Sequence, residues 1–181
     1  MSRYFSLLLV LFILCVASSN SISAKVVDVD IICKEASNPT YCSNLLNSKS
    51  GGAKGVDLVD LAQYTIDVLN DNSSRAFDLM KNLMDIAEND TVASYYYRCD
   101  SDFLDTENSI LLRLRDAELN LHNGKYPAMA KESDDIIQYL LDCIHSLQEH
   151  ETSTLLAKYV DDLRQGAQVL QIISKYLNLG K

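Results

Sequence analysis

Several kinds of residue are scarce in this 181-residue chain, and each shortage argues against a class of protein. Six glycines and two prolines are few for the many turns of a β-sandwich or barrel, so the composition favours long helices. Only 16 lysines and arginines oppose 25 aspartates and glutamates, and the resulting net charge of -9 repels the phosphate backbone of nucleic acids. The length fits a single domain.

Motifs of catalysis are also missing. The sequence has no G-x-S-x-G, no H-E-x-x-H and no glycine-rich phosphate loop. His122, His145 and His150 lack ligand spacing with the cysteines, which argues against zinc. The acidic pair Asp134-Asp135 diverges by about 100° on a helix, so its two carboxylates are not placed for joint acid–base work. We therefore expect no catalytic residue, no cofactor and no metal site.

Residues 1–24 have the pattern of a secretory signal peptide. Arg3 is the only charge before Lys25, and a continuous apolar run with one serine extends from Phe5 to Ala17. This run is shorter than the roughly 20 apolar residues of a membrane anchor, which is the alternative reading. Three cleavage points fit the pattern, after Ser19, Ser21 or Ala24. The sequence thus predicts a secreted domain of residues 25–181 with no membrane span after cleavage.

Four cysteines remain in that domain, Cys33, Cys42, Cys99 and Cys143. An even number in an oxidising compartment predicts two disulfides, for which three pairings exist. A local bridge between Cys33 and Cys42 across the turn-forming Asn38-Pro39 is the simplest choice, and it leaves Cys99 with Cys143. Two N-x-S/T sequons also fit the secretory route, so Asn72 and Asn89 are glycosylation candidates.

Apolar residues recur at helical spacing through the mature chain. The spacing predicts a short helical hairpin over residues 29–48, a flexible linker over 48–55, and four longer helices over 56–87, 92–121, 127–147 and 152–177. Thr91 is the predicted N-cap of the second long helix, and one or two of Tyr95, Tyr96 and Tyr97 must face the core. Four such helices joined by short loops predict an all-α, up-down-up-down bundle preceded by an N-terminal hairpin.

The spacing of the cysteines resembles that of a known family. The segment from Cys33 to Cys42, with Pro39 between them and Leu45-Leu46 after it, is similar to the opening of the plant invertase and pectin methylesterase inhibitor family. Cys99 with Phe103 resembles the third cysteine of the family and the aromatic residue that follows it. Gly124-Lys125-Tyr126 resembles the turn before the helix that holds the fourth cysteine, here Cys143.

The resemblance implies both a fold and a function. It implies a four-helix bundle with an N-terminal hairpin and with bridges between the first and second and between the third and fourth cysteines. It also implies a monomer that is secreted to the cell wall, or is vacuolar, and that covers the active-site cleft of one enzyme in a one-to-one complex. The enzyme is pectin methylesterase or acid invertase, and the segment Asn38–Cys42 favours pectin methylesterase.

Lys125 and Tyr126 are the candidate target contacts. Invertase inhibitors carry a Pro-Lys-Phe segment whose lysine and phenylalanine enter the enzyme, whereas proline here follows the pair as Pro127. A plain turn between two helices is the competing interpretation of these residues. Two other functions stay open, a secreted helical signalling or allergen-like protein that inhibits nothing and a small secreted hydrolase.

Overall fold

Helices joined by short turns form almost all of the chain over residues 25–104, 108–150 and 152–179, which a computed structural model describes. The predicted signal peptide lies outside these described residues. Within them the only β-structure is a single antiparallel bridge between Val26 and Asp57. Eight helices occur in these ranges, namely α1 Val29–Cys33, α2 Pro39–Asn47, α3 Leu58–Asp85, α4 Asp90–Ser94, α5 Tyr97–Leu104, α6 Ile110–His122, α7 Tyr126–Gln148 and α8 Thr154–Asn178.

Four of these helices, α3, α6, α7 and α8, form an up-down-up-down bundle. α3 packs against α6, α6 against α7, α7 against α8, and α8 closes the ring on α3. The predicted apolar stripe of α8 faces the centre of this ring, where all its members but half-buried Tyr159 are buried, namely Leu156, Val160, Leu163, Ala167, Leu170, Ile173 and Leu177. The all-α bundle predicted from the sequence is confirmed.

The second long helix of the prediction is not continuous. Residues 92–121 were expected to form one helix, but the chain there is divided among α4, α5 and α6. The buried Ser109 starts α6 as its N-cap, because its hydroxyl accepts a hydrogen bond from Leu112 N at 3.2 Å. The predicted stripe is nevertheless buried in every member, namely Tyr96, Cys99, Phe103, Ile110, Leu114, Ala117 and Leu121.

The N-cap predicted at Thr91 is also wrong. Asn89 caps α4 instead, since its side-chain oxygen accepts a hydrogen bond from Val92 N at 3.1 Å. Asparagine is among the strongest N-cap residues, and its carboxamide reaches the amide of the third helical residue. The helix therefore begins at Asp90, two residues earlier than a cap at Thr91 would allow.

The N-terminal hairpin consists of α1 and α2 and lies on the outside of α8. The disulfide Cys33–Cys42 joins its two arms with a Cα–Cα distance of 5.4 Å. Four side-chain hydrogen bonds hold the hairpin and the segment before it on α8. Glu35 accepts hydrogen bonds from Lys175 Nζ and Tyr176 Oη, both at 2.6 Å, Ser37 Oγ donates to Gln168 Oε1 at 2.6 Å, and Lys25 Nζ donates to the carbonyl of Tyr176.

The predicted linker between the hairpin and the bundle is partly packed. Gly51, Gly52 and Gly55 adopt positive φ angles and allow the sharp turns of this segment. Ala53 between them is only 1% exposed and belongs to the core. Beyond the linker, Leu58 N donates to Lys25 O at 2.8 Å, so the start of α3 is tied to the first described residues. No helix in the described ranges is long and apolar enough to cross a bilayer.

Candidate functional site

The turn between α6 and α7 carries both candidate target contacts. Gly124, at a φ of 62°, lets the chain leave α6 in a Schellman motif, in which Lys125 N donates to Asn120 O and Gly124 N donates to Leu121 O. Lys125 is the N-cap residue of α7, directly before the first residue of that helix. Its side chain is exposed and makes no capping hydrogen bond. Tyr126 is half-buried and packs against the core. The turn is therefore rigid, with a lysine at its tip.

A shallow depression of about 610 Å³ lies beside this turn. It forms because the start of α3 and the end of α6 meet at the same end of the bundle. Tyr126 and Leu121 supply apolar surface, Asp57 and Asp60 supply carboxylates, and the remaining lining residues are Val59, His122, Asn123 and Gly124. This end of the bundle thus offers apolar and acidic surface next to one exposed lysine.

The second disulfide, Cys99–Cys143, lies at the other end of the bundle. It joins α5 to α7 with a Cα–Cα distance of 4.6 Å, and both cysteines are completely buried. Beside the disulfide, Arg98 of α5 forms an ion pair with Asp142 of α7 at 2.9 Å. A cleft of about 440 Å³ is lined there by Arg98, Asp142, His145, Ser146 and Glu149. Both predicted disulfides are present in the fold.

Asp102 is a buried carboxylate next to this cleft. Its residue is 5% exposed, and Oδ2 lies 3.4 Å from Arg98 Nε. Burial raises the pKa of Asp102 to about 6, the nearby Arg98 acts in the opposite direction, and Asp142 adds to the increase. The carboxyl group therefore changes its charge in the mildly acidic range. A sequence scan gives no sign of this, because burial of a single aspartate depends on the packing of α5.

A row of five aspartates runs along the exposed face of α3. Their separations from the first member are 7, 11, 18 and 25 residues, so all lie within about 20° of one line along a helix. Among the described residues only Arg75 forms an ion pair with the row, to Asp71 at 2.7 Å. The other base of α3, Lys81, pairs with Asp100 at 3.2 Å. The members of this aspartate row are Asp60, Asp67, Asp71, Asp78 and Asp85.

The aspartate row was not recognised in the sequence, although its periodicity was available there. The apolar spacing of α3 does not reveal the row, and neither does the net charge of the chain. Counting the charged residues at the same helical period finds all five. The row gives the bundle a continuous acidic face about 37 Å long at 1.5 Å of rise per residue.

The titratable groups considered for catalysis do not converge. Asp135 pairs with Lys131 at 2.8 Å, while its neighbour Asp134 accepts a hydrogen bond from Gln171 on α8. The two carboxylates thus diverge as predicted. His122 borders the depression at the turn, whereas His145 borders the cleft at the opposite end. Over residues 25–104, 108–150 and 152–179, no group of three or more His, Cys, Asp or Glu side chains is placed to hold a metal ion.

The three consecutive tyrosines separate as predicted. Tyr96 is 6% exposed and belongs to the core, while Tyr97 is 53% exposed. Tyr95 stacks on His150 with ring centroids 3.8 Å apart and an interplanar angle of 14°. This stack connects the end of α4 to the turn after α7. The run is therefore mainly structural, with one exposed ring.

The two sequons have different surroundings. Asn89 is exposed in the short link between α3 and α4. Asn72 is half-buried in the middle of α3 and borders a depression of about 70 Å³ shared with Arg75, Tyr159 and Asp162. The accessible position expected for Asn89 is thus present in the fold.

A curated relative of this chain is an inhibitor. The chain is 22% identical over 159 residues to Pectinesterase inhibitor 2 of Arabidopsis thaliana, an alignment that covers 88% of this chain and 89% of that protein. The resemblance to the plant invertase and pectin methylesterase inhibitor family is confirmed. No protein-family model matches the chain.

Solved structures agree with the inhibitor family in fold. A mutant form of a pectin methylesterase inhibitor from Arabidopsis superposes with a TM-score of 0.71 at 17% identity, over 80% of this chain and 93% of that one. A second crystal structure of a pectin methylesterase inhibitor from Arabidopsis thaliana gives a TM-score of 0.62 at 16% identity, over 81% and 93%. The bridges Cys33–Cys42 and Cys99–Cys143 match the pairing that the inhibitor family implied.

Proposed function

We propose that this protein is a secreted inhibitor of pectin methylesterase that binds the enzyme one-to-one and covers its active-site cleft. The observation that carries the proposal is the similarity to a pectinesterase inhibitor over 88% of this chain and 89% of the relative. An alignment of that extent leaves out little of either protein, so it is more than a shared helical pattern. The shared fold supports the same assignment.

Inhibition by steric occlusion fits the chemistry of the described residues. Their carboxylates and histidines are dispersed over both ends and several faces of the bundle. This arrangement favours a binding surface over a cluster of catalytic side chains. Two disulfides and a closed helical ring make that surface rigid. A rigid surface loses little conformational entropy on binding, which favours affinity.

Charge aids the encounter with the enzyme. The whole chain has a net charge of -9, and removal of the predicted signal peptide also removes Arg3. The aspartate row concentrates part of this charge on one face of α3. Such a face attracts a basic protein surface from a distance, accelerates association and makes it sensitive to salt. The favoured target is therefore an enzyme whose cleft has a basic rim.

Acid invertase is the second candidate target. The specific observation in its favour is the α6–α7 turn, where Lys125 is exposed and an aromatic ring follows it. Invertase inhibitors present a lysine and a phenylalanine from a comparable segment. Here the ring of Tyr126 is half-buried on the core and the proline follows it, so only Lys125 is well placed to reach an acidic site.

One titration distinguishes these proposals. The oxidised mature protein is added in increasing amounts to pectin methylesterase and to acid invertase under identical conditions, and residual activity is measured. We expect stoichiometric loss of esterase activity, with one-to-one complexes on size-exclusion chromatography with light scattering. Full activity of both enzymes at micromolar inhibitor would contradict the proposal and favour a signalling role. Turnover of pectin or sucrose by the protein alone would indicate a hydrolase.

The proposal includes the site of action and the state of the free protein. Residues 1–24 are proposed to direct export to the cell wall, with the vacuole as the alternative destination. The free inhibitor is proposed to be a monomer. Fractionation of plant tissue that expresses the full chain, followed by N-terminal sequencing of the recovered protein, tests the location and identifies the cleavage point.

A further inference from the structure

We propose that Asn89 carries an N-linked glycan in the mature protein and that Asn72 does not, although both lie in acceptor sequons. The inference goes beyond inhibition, and it relies on the secretory route that forms part of the proposed function. The folded surroundings of the two carboxamides separate the two sites. A glycan is bulky and hydrophilic, so it must leave the protein from an open surface.

Asn89 can accept a glycan without loss of its structural role. The oxygen Oδ1 accepts the hydrogen bond from Val92 N at 3.1 Å that starts α4. Glycosylation takes place at the other atom. Nδ2 loses one proton and forms a bond to the anomeric carbon of an oligosaccharide, which leaves its lipid diphosphate carrier. The modified carboxamide keeps its oxygen, so the cap of α4 remains.

Space is available around that nitrogen. Asn89, Asp90 and Thr91 are all exposed, and the backbone of Asn89 is extended with φ -162° and ψ 169°. Among the described residues none accepts a hydrogen bond from Nδ2. A sugar attached there leaves into solvent from the link between two helices.

Asn72 lacks the open surroundings of Asn89. It lies in the middle of α3, and its side chain borders a depression of only about 70 Å³ next to Tyr159 and Asp162 of α8. Ser73, which follows it, is completely buried, and Ser74 Oγ donates to Asn70 O at 3.0 Å within the helix. A glycan on Asn72 would crowd Tyr159 and Asp162 across the contact between α3 and α8, so the folded protein favours the unmodified asparagine.

The position of Asn89 also separates the glycan from the candidate binding turn. α3 is 28 residues long and therefore spans about 42 Å. Its start borders the depression beside Tyr126, whereas Asn89 follows its end. A glycan at Asn89 thus leaves the turn with Lys125 accessible. We expect glycosylated and unglycosylated protein to inhibit the target equally.

Mass spectrometry of a matched pair of variants tests the assignment. The coding sequence is expressed in a eukaryotic secretory host with its own leader, and in parallel with the leader of a known exported protein placed before residue 25. Thr91→Ala destroys one sequon and leaves Asn89 as the cap, while Ser74→Ala destroys the other and leaves Asn72. We expect peptide N-glycosidase to lower the mass of the parent protein and of Ser74→Ala, and to leave the mass of Thr91→Ala unchanged.

The opposite results would overturn the inference. An exported parent protein without a glycan, or a glycan that is lost in Ser74→Ala and kept in Thr91→Ala, excludes the assignment. Asn89→Asp is a second check, because it removes the sequon while its side-chain oxygen still caps α4, so it should be unmodified and equally stable. Inhibition assays on the same samples keep the two proposals apart. A glycosylated protein that inhibits neither enzyme refutes the proposed function alone.

Discussion

Arg98 Nη2 lies 2.9 Å from Asp142 Oδ2, and these two residues immediately precede the disulfide partners Cys99 and Cys143. The ion pair and the disulfide therefore both link α5 to α7. The two side chains are 54% and 40% exposed, so the ion pair contributes at most about 1 kcal/mol to stability. The disulfide is the stronger link between α5 and the bundle.

Removal of the two disulfides should have unequal effects. The Cys99–Cys143 bridge closes a sequence separation of 44 residues, and the Cys33–Cys42 bridge closes one of 9. Chain-entropy arguments give a loss of about 4 kcal/mol of unfolding free energy for the first and about 3 kcal/mol for the second. Double Cys→Ala variants compared by urea denaturation measure both losses. A larger loss for the short bridge would contradict the entropic explanation.

Asp102 should make the stability fall as pH rises. Its pKa in the folded protein is about 6, above the value of an aspartate in the unfolded chain, so the folded state binds the proton more tightly. The stabilisation is therefore complete in acid and is lost as pH increases through about 4 to 6, by up to about 3 kcal/mol. Asp102→Asn has no carboxyl group at this position, so its unfolding free energy should not fall for this reason. The unfolding free energy of Asp102→Asn minus that of the parent should therefore increase as pH rises from about 4 to 6.

Urea denaturation at a series of pH values checks this prediction. The relevant quantity is the difference in unfolding free energy between Asp102→Asn and the parent, because other carboxylates also titrate. Glu35, for example, has its pKa lowered by hydrogen bonds from Lys175 and Tyr176 and shifts stability in the opposite direction. The exposed Asp85→Asn serves as the control, and a similar pH trend in that variant would refute the role of burial.

Lys125→Ala should weaken inhibition without changing the fold. The side chain is exposed and makes no capping hydrogen bond, so its removal should alter the unfolding free energy by less than about 0.5 kcal/mol. If the α6–α7 turn enters the target, the inhibition constant should increase at least about tenfold, which corresponds to 1.4 kcal/mol of binding energy. Lys131→Ala, an exposed lysine of α7 away from the turn, is the matched control. If Lys125→Ala and Lys131→Ala inhibit the target equally well, the turn is only a connection between two helices.

Neutralisation of the aspartate row should slow association with a basic target. The combined variant Asp67→Asn, Asp71→Asn and Asp78→Asn should lower the association rate constant several-fold at low salt and leave the dissociation rate nearly unchanged. Its rates should also depend less on ionic strength than those of the parent. Stopped-flow or surface plasmon resonance measurements over a range of salt concentrations give both constants.

A variant with the same change of net charge provides the control for the aspartate row. Asp30→Asn, Glu88→Gln and Glu149→Gln remove three exposed negative charges from other elements. If net charge alone guides association, both triple variants should slow it equally. A selective effect of the α3 variant would identify the face that approaches the enzyme.

The architecture was largely predictable because burial follows local periodicity. Leu163, Ala167 and Leu170 stand at helical spacing in the sequence, and all three are buried in α8. Cys33 and Cys42 were paired by proximity along the chain, which left Cys99 and Cys143 for each other, and both bridges are present. Such features depend on a side chain and its near neighbours, so a single sequence contains the information.

The interruptions of the second long helix were not predictable in this way. The apolar period continues through residues 96–121, and a continuous helix would satisfy it. The break at Ser109 depends on a choice between helical continuation and a new start, and the hydrogen bond that Leu112 N donates to the Ser109 hydroxyl favours the new start. Serine offers this alternative in many helices, so its presence alone does not predict a break.

The properties of the candidate site also fall into two groups, those that the sequence contains and those that depend on packing. The sequence by itself determined that Lys125 stands in a turn after a glycine, that the chain is acidic, and that two sequons exist. Only the tertiary structure decided that Tyr126 shares a depression with the start of α3, that Asp102 is buried, and that Asn89 is open while Asn72 faces α8. These properties depend on contacts between residues that are distant in the chain, and the packing of the helices against one another creates those contacts.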